Sequence, residues 1–289
     1  MTLTLVQAWG VAKKRLEAAG LEGPVIDARL LVEASCGATR TDIVTDPYRP
    51  LSAEQESTLA NYLDRRIARE PVSHILGRKG FWTIMLSVTR DVLTPRPDSE
   101  TVVDFVLKTF PEAAAFSVLD LGVGSGALLL AILAERPAAK GLGIDVSEEA
   151  LAVARENAAS LDLAGRCALM HGDWTTGLGE ATFDLVVSNP PYIASAVIEE
   201  LEPEVRDHEP RLALDGGADG LDAYRRLAPE IVRVLKPGGR FAVEIGFDQK
   251  SAVEALFRAA GAEEIRTLRD LADRDRVVVG AKRPLERAP

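Results

Sequence analysis

The chain has 289 residues, of which 47% are hydrophobic and 27% charged, and it carries a formal net charge of −10. That length and mixture suit a soluble globular chain of about two domains, and the acidic balance argues against a protein that holds long duplex nucleic acid, which needs a basic face to displace counterions. Cys36 and Cys167 stand far apart without C-x-x-C spacing, so neither a disulfide framework nor a metal site is expected, and both read as small apolar fillers.

At the start, Met1 to Gly10 lacks the basic start, apolar run and small-residue cleavage site of a signal peptide. No window reaches 18 consecutive apolar residues without charge, so no membrane association and a cytoplasmic location are expected. From Leu3 to about Glu70 the apolar spacing is helical, with Leu3, Val6 and Gly10 starting a face and residues 28–34 continuing it. Ser52-Ala53-Glu54-Gln55 fits a capping box that opens a helix to about Arg69, stopped by Pro71. The basic residues here, Lys13, Lys14, Arg15, Arg65, Arg66 and Arg69, read as a solvated face. Gly77 to Val88 is rich in aromatic and β-branched residues and predicts a hairpin, and Asp98 after Pro95-Arg96-Pro97 is expected to cap a helix to about Leu107.

From Ser117 onward strands and helices alternate. Strands are expected at 117–121, 141–145, 167–171, 183–188 and 240–244, with helices at 127–135, 147–161, 222–235 and 249–260. Residues 236–239, Lys-Pro-Gly-Gly, are read as the stop before the fifth strand, and 264–268 with 276–281 as a closing pair. The fold class is therefore α/β, an open sheet with helices on both faces, whose ligands bind outside the carboxyl ends of the strands. The expected division is a helical domain over 1–75, a hairpin linker over 76–92, a catalytic domain over 93–281 and a tail over 282–289.

Asp120-Leu121-Gly122-Val123-Gly124-Ser125-Gly126 follows one strand and precedes a helix, where glycines let a ligand approach the backbone and the helix N-terminus. Asp145, at the end of the next strand, is placed to accept both ribose hydroxyls of an adenosine cofactor. The same glycines also satisfy the dinucleotide pattern G-x-G-x-x-[GA]. Asp120 tilts the reading to S-adenosylmethionine, because a carboxylate can hold a methionine ammonium but sits badly beside a pyrophosphate. Asp173 and Trp174 are candidates to read and stack on adenine; their plainer readings are an Asx turn and a core aromatic.

Asn189-Pro190-Pro191-Tyr192 follows the strand 183–188, on the cofactor side. Two prolines fix φ and make a rigid loop that displays carbonyl oxygens. An amide or exocyclic amine is a poor nucleophile because its lone pair is conjugated. If the Asn189 side-chain oxygen and the Pro190 carbonyl each accept one N–H, the nitrogen can pyramidalise toward a sulfonium methyl, while Tyr192 covers the planar group. Asn189 and Pro190 are thus the expected catalytic residues, with Pro191 and Tyr192 completing the substrate site. No metal ligands or Ser/His/Asp triad compete: His74, His171 and His208 are scattered.

Over nearly its whole length the sequence resembles the release-factor glutamine methyltransferases, the PrmC or HemK family. Glu70 to Gly77 leading into Phe81-Trp82 is similar to the family's interdomain stretch, and Leu93 to Thr101 to its L-I-P-R-P-[DE]-[ST]-E segment. Asp120 to Gly126, Asp173-Trp174 and Asn189 to Tyr192 match its cofactor and catalytic motifs, and Glu209-Pro210 through Leu221 resembles its following loop. The resemblance implies a Rossmann-like class I methyltransferase sheet and N5-methylation of the glutamine in the Gly-Gly-Gln motif of peptide chain release factors. The N-terminal helices would help to hold that protein substrate, and no stable nucleic-acid partner is implied. By similarity Gly122 to Gly126, Asp145, Trp174 and Asn189 contact the cofactor, and Asn189 to Tyr192 the glutamine. Val123 stands where the family usually has Thr, Thr94 where Ile is usual, and His208 where an aromatic often precedes Glu-Pro. Site chemistry leaves open a ribosomal-protein glutamine methyltransferase, an adenine-N6 nucleic-acid methyltransferase, or a module that senses S-adenosylmethionine.

Overall fold

The computed structural model describes residues 2–285. Its helices are α1 (Leu5–Ala18), α2 (Pro24–Cys36), α3 (Arg40–Thr45), α4 (Ala53–Ile67), α5 (Val72–Leu76), α6 (Glu100–Thr109), α7 (Ala127–Glu135), α8 (Glu148–Ser160), α9 (Pro203–Arg206), α10 (Asp222–Val234) and α11 (Lys250–Ala259). Its strands are β1 (Arg78–Phe81), β2 (Ile84–Ser87), β3 (Ser117–Leu121), β4 (Lys140–Asp145), β5 (Cys167–His171), β6 (Phe183–Ser188), β7 (Leu235–Glu244), β8 (Ala262–Arg269) and β9 (Asp275–Lys282). The chain forms two compact units. One takes the residues up to Arg78 together with Pro203–His208, and the other takes Lys79–Glu202 and the chain from Glu209 onward.

In the first unit, α1 buries Leu5, Ala8, Ala12 and Leu16, a spacing of three and four that keeps one face inward. Their partners are Leu31 and Val32 of α2 and Leu59 and Leu63 of α4. Ser52 opens α4 as the sequence predicts: its hydroxyl accepts from the Gln55 N–H at 3.2 Å, and the Gln55 side chain accepts from the Ser52 N–H at 2.9 Å. The helix ends at Ile67, and Arg69 takes the left-handed conformation at φ 71°.

One expectation fails here for a clear reason. Arg66 does not belong to a solvated face: it is 6% exposed and donates to Asp27 at 2.8 Å and to Glu204 at 2.9 Å. Arg69 also reaches Glu204, at 3.3 Å. Burial works against charge on Glu204, yet hydrogen bonds, those from Arg66 and Arg69 among them, hold its carboxyl below the usual range. Glu204 lies in a segment remote in sequence, so periodicity around Arg66 carries no sign of it.

In the second unit, the hairpin β1–β2 contributes Phe81, Ile84 and Leu86 to a core cluster. A seven-stranded sheet runs in the order β5-β4-β3-β6-β7-β9-β8. The first five are parallel, and β9 is antiparallel to both β7 and β8. Strand residues alternate between two cores, as a sheet covered on both sides requires. Val118, Leu185, Val187, Ala242, Val277 and Val279 pack with residues of α6, α7 and α8. Leu119, Leu121, Val186, Phe241, Val243 and Val278 pack with residues of α10 and α11, where Phe241 and Phe257 stack at 4.2 Å.

Two boundaries differ from expectation. Asp98 does not cap α6; a 3-10 turn over Pro97–Ser99 carries the chain in, Ser99 becomes the N-cap, and the Asp98 carboxylate pairs with Arg276 at 3.3 Å. β7 starts at Leu235 rather than 240, because the Lys-Pro-Gly-Gly stretch is an irregularity inside the strand: Phe183 pairs Leu235 and Leu185 pairs Arg240. Of the expected tail, Lys282 ends β9 and donates Nζ to the Arg233 carbonyl at 3.2 Å, while residues 286–289 lie outside the described residues.

Candidate active site

The parallel strands run toward one edge, where β3, β4, β5 and β6 end around a cavity of about 450 Å³, a volume typical of small-molecule sites. β3 is the strand from which the chain leaves to opposite sides, through β4 to β5 and back to β6, and ligands of open α/β sheets bind at such a crevice.

Asp120, Gly122, Val123, Gly124 and Ser125 line the cavity. Asp120 is 1% exposed. Its Oδ2 accepts from the Leu129 N–H at 3.2 Å and so caps α7, whereas Oδ1 is buried without a hydrogen-bond partner. Burial, and then the nearby Asp145 charge, push its carboxyl up to about 7, with the Leu129 N–H opposing. A cationic ligand group fits here: it supplies both the missing partner and the countercharge. Val123 turns its side chain toward the backbone of Gly143 and is 4% exposed, so the position where the family usually carries a hydroxyl is here part of the core.

Gly122 sits at φ +71°, and its open side is filled by the Trp174 ring. Trp174 itself lies at φ 51°, a left-handed conformation that costs a tryptophan about 1–3 kcal/mol. The Trp174 ring packs against the second core cluster and also lines the cavity. Asp145 lines it too, its Oδ2 accepting from the Gly124 N–H at 2.8 Å and Oδ1 from the Ser147 N–H at 3.0 Å. The carboxylate thus ties the glycine loop to the start of α8 and presents its remaining lone pairs to the cavity. Asp173 lines the rim but is partly engaged, with Oδ1 paired to Arg226 at 2.8 Å.

Asn189 and Pro191 complete the wall. The Ser188 hydroxyl donates to the Leu121 carbonyl at 2.7 Å, which fixes the start of the tetrapeptide beside the glycine loop. Asn189 Nδ2 donates to Ser99 Oγ at 3.3 Å. Gly126, Pro190 and Tyr192 do not line the cavity. Gly126 is the N-cap of α7 and Pro190 is buried. Tyr192 packs against the second core cluster and donates its hydroxyl to Glu244 at 3.3 Å, so in this conformation it braces the loop from behind rather than covering a substrate group.

The bracing comes from residues to which the sequence assigned no role. Gln249 Nε2 donates to the Tyr192 carbonyl at 2.9 Å, and Gly220 must be glycine there because a Cβ would overlap the same carbonyl oxygen. Glu244, at the end of β7, is 1% exposed. Burial pushes its carboxyl up to about 7, opposed by hydrogen bonding from Ser99, the Arg276 charge and hydrogen bonding from Tyr192. Glu209 accepts from the Thr94 N–H at 2.9 Å and from Arg96 at 3.1 Å, joining the two segments that most specifically carried the resemblance. Asn157, fully buried on α8, donates to the Ser125 and Ser87 carbonyls and holds the glycine loop to the hairpin. A polar residue on the otherwise apolar inward face of α8 was the available signal for Asn157.

A family model described as the PrmC N-terminal domain matches residues 7–77, and one described as a methyltransferase domain matches residues 113–269. The release factor glutamine methyltransferase of Caulobacter vibrioides is 73% identical over 99% of this chain and 99% of its own. That of Agrobacterium fabrum is 41% identical over 92% of this chain and 93% of its own. Among solved structures, a methyltransferase from Pyrococcus furiosus is similar in fold, with a TM-score of 0.53 at 19% identity over 78% of this chain and 99% of that one. With such identity across both full lengths, the chain belongs to the release factor glutamine methyltransferase family.

Proposed function

We propose that this chain is an S-adenosylmethionine-dependent methyltransferase that acts in the cytoplasm on N5 of the glutamine in the Gly-Gly-Gln motif of peptide chain release factors. The observation that carries the reading is that Asn189 lies on the same cavity wall system as Asp120 and Asp145, in a chain 73% identical to an enzyme of that name. No helix among the described residues is long and apolar enough to cross a membrane.

When bound, the cofactor supplies an electrophilic methyl on a sulfonium. The chain's own residues bind and orient. Asp120 Oδ1 takes the methionine ammonium, Asp145 the ribose hydroxyls, and Trp174 offers a face to adenine. Asn189 Oδ1 and the Pro190 carbonyl each accept one N–H of the glutamine amide. Attack must give up part of the amide conjugation, gauged by the roughly 18–20 kcal/mol rotation barrier, and two fixed acceptors favour the pyramidal nitrogen over the planar one. Positioning and preorganised dipoles then provide the acceleration; as the N–CH3 bond forms the S–CH3 bond breaks, the thioether product S-adenosylhomocysteine leaves, and one N–H proton of the amide passes to solvent.

The test is methyl transfer from labelled S-adenosylmethionine to purified release factor, beside a copy with the Gly-Gly-Gln glutamine replaced, followed by mass spectrometry of the labelled peptide. Label on that glutamine alone is expected. Label on a ribosomal protein or on adenine instead, with none on release factor, would overturn the substrate.

The Asp120 environment adds a pH prediction. Its carboxyl keeps its proton up to about pH 7 in the folded chain without ligand, against an ordinary value of 3.8. Between those values the unfolded chain binds fewer protons, so ligand-free stability falls as pH rises. Binding of a cationic ammonium reverses the preference and releases a proton. Cofactor affinity is therefore expected to rise as pH increases toward about 7, and the rise should be absent in Asp120→Asn. A flat calorimetric profile in the unaltered protein would sink the assignment.

A further inference from the structure

Among the described residues that line the cavity, Trp174 alone takes a positive φ without being glycine. A bulky side chain is an outlier there, where its Cβ is crowded and glycine is at ease. Such a residue persists only where its surroundings over-determine it. The turn that contains it is closed by the Thr176 N–H, which donates to the Asp173 carbonyl at 3.2 Å. That bond would close as well around a glycine, so the tryptophan needs further support. The support comes from one face of α10, where Arg226, Glu230 and Arg233 are spaced by four and then three and stand in one row. Glu230 is the hub. Its Oε2 accepts from the Thr175 hydroxyl at 2.8 Å and from the Thr175 N–H at 3.3 Å, and its Oε1 accepts from Arg226 Nε at 3.1 Å. Arg226 in turn donates Nη1 to Asp173 Oδ1 at 2.8 Å. Arg233 donates Nη2 to the Thr175 hydroxyl at 2.9 Å and to the Thr175 carbonyl at 3.2 Å. Both chain neighbours of Trp174 are therefore gripped, and Thr175 is buried.

We propose that Glu230 is a positioning residue for the cofactor: with Arg226 and Arg233 it clamps Asp173 and Thr175, and so keeps Trp174 left-handed with its ring against Gly122 and in the cavity wall. The inference rests on the proposed contact of Trp174 with adenine. Bonds that join a carboxylate to a guanidinium or a backbone N–H are about twice as strong as neutral ones, which suits them to oppose backbone strain. Released from the clamp, the turn gains by letting Trp174 move to a negative φ. The ring is carried by that Cα and leaves Gly122 when the backbone turns. The cofactor then has to restore the left-handed turn as it binds, and the work of doing so is subtracted from the affinity. Once it is bound the turn is back in place. The loss therefore falls on cofactor affinity and not on methyl transfer, which proceeds at Asn189 on another strand end.

The experiment is a double-mutant cycle on the full chain, read by calorimetry of S-adenosylmethionine binding. Glu230→Ala is expected to weaken binding about tenfold. In steady-state transfer to release factor it should raise the cofactor KM by a like factor, with kcat at saturating cofactor within about twofold. Glu230→Gln, which keeps an acceptor for Thr175, should bind within about threefold of the unaltered protein. Arg226→Met cuts the link to Asp173 but leaves Glu230 on Thr175, and should weaken binding about threefold; it decides the matter if Glu230→Ala does not fold. In a Trp174→Ala background Glu230→Ala should cost nothing more, because Glu230 acts through Trp174. The inference is overturned if the clamp variants bind with unaltered affinity while Trp174→Ala binds weakly, or if the cost of Glu230→Ala persists undiminished in the Trp174→Ala background. If Trp174→Ala itself binds as tightly as the unaltered protein, the adenine contact fails, and the clamp with it.

Discussion

Asn189→Ala is expected to lower kcat for methyl transfer by about 10²-fold or more while leaving S-adenosylmethionine affinity within about threefold. The carboxamide is one of two acceptors available to the substrate nitrogen, and its contact strengthens as that nitrogen pyramidalises. Removing a contact of that kind raises the barrier by roughly 2.7–4 kcal/mol, as deletion of a preorganised polar group does elsewhere. Cofactor affinity should survive because Asp120, Asp145 and the Gly122–Trp174 contact lie on other strands and remain intact. The check is steady-state kinetics on release factor beside calorimetry of the cofactor. A parallel loss of cofactor binding would show that Asn189 serves the cofactor and not the amide.

A second large effect is expected far from any chemistry. Arg66→Ala leaves Asp27 and Glu204, both mostly buried, without their shared guanidinium. Removing one partner of a buried ion cluster costs about 3–5 kcal/mol; here Asp27 keeps its desolvation penalty and loses its compensation, while Glu204 retains Arg69 alone of its two guanidiniums. Replacing all three together, Arg66→Met with Asp27→Leu and Glu204→Leu, should restore most of the loss, because the cost lies in unpaired charge and not in missing volume. Hydrogen exchange of α2 and α4 peptides in the full chain measures both. A single variant as protected as the unaltered protein would show that water already reaches the cluster. Acid should act in the same direction: Glu204 is held low, so its stabilisation is present above the ordinary carboxylate value and is lost as pH falls below that value and through the depressed one.

The two cases mark what a sequence discloses. β3, α7, β5 and β6 were legible to the residue because each is a continuous apolar run bounded by glycine, a cap or an acid. The glycine loop, Asp145 and Asn189 were legible because strand ends in an open sheet converge, so three separate motifs had one place to meet. What stayed hidden depends on pairs distant in the chain. Glu244 looks like the last residue of a strand, and only its burial behind Tyr192 makes it part of the site. Arg66 looks like a charge on a polar helix face until Glu204 arrives. Ser99 and Asp98 were exchanged because a proline-led turn enters α6 one residue later than the capping pattern suggests. Tyr192 was expected forward on chemical grounds, and core packing together with Glu244 turn it back.

The first unit is discontinuous, and that has a consequence for the order of events at the ribosome. Glu204 lies 138 residues after Arg66. At about 5–20 residues per second, the helices that emerge first wait on the order of ten seconds for the segment that completes their ion cluster, while much of the sheet is made in between. Throughout that interval Arg66 has Asp27 as its carboxylate but not Glu204. The N-terminal helices therefore leave the tunnel early and reach their final stability late, in step with the enzyme as a whole.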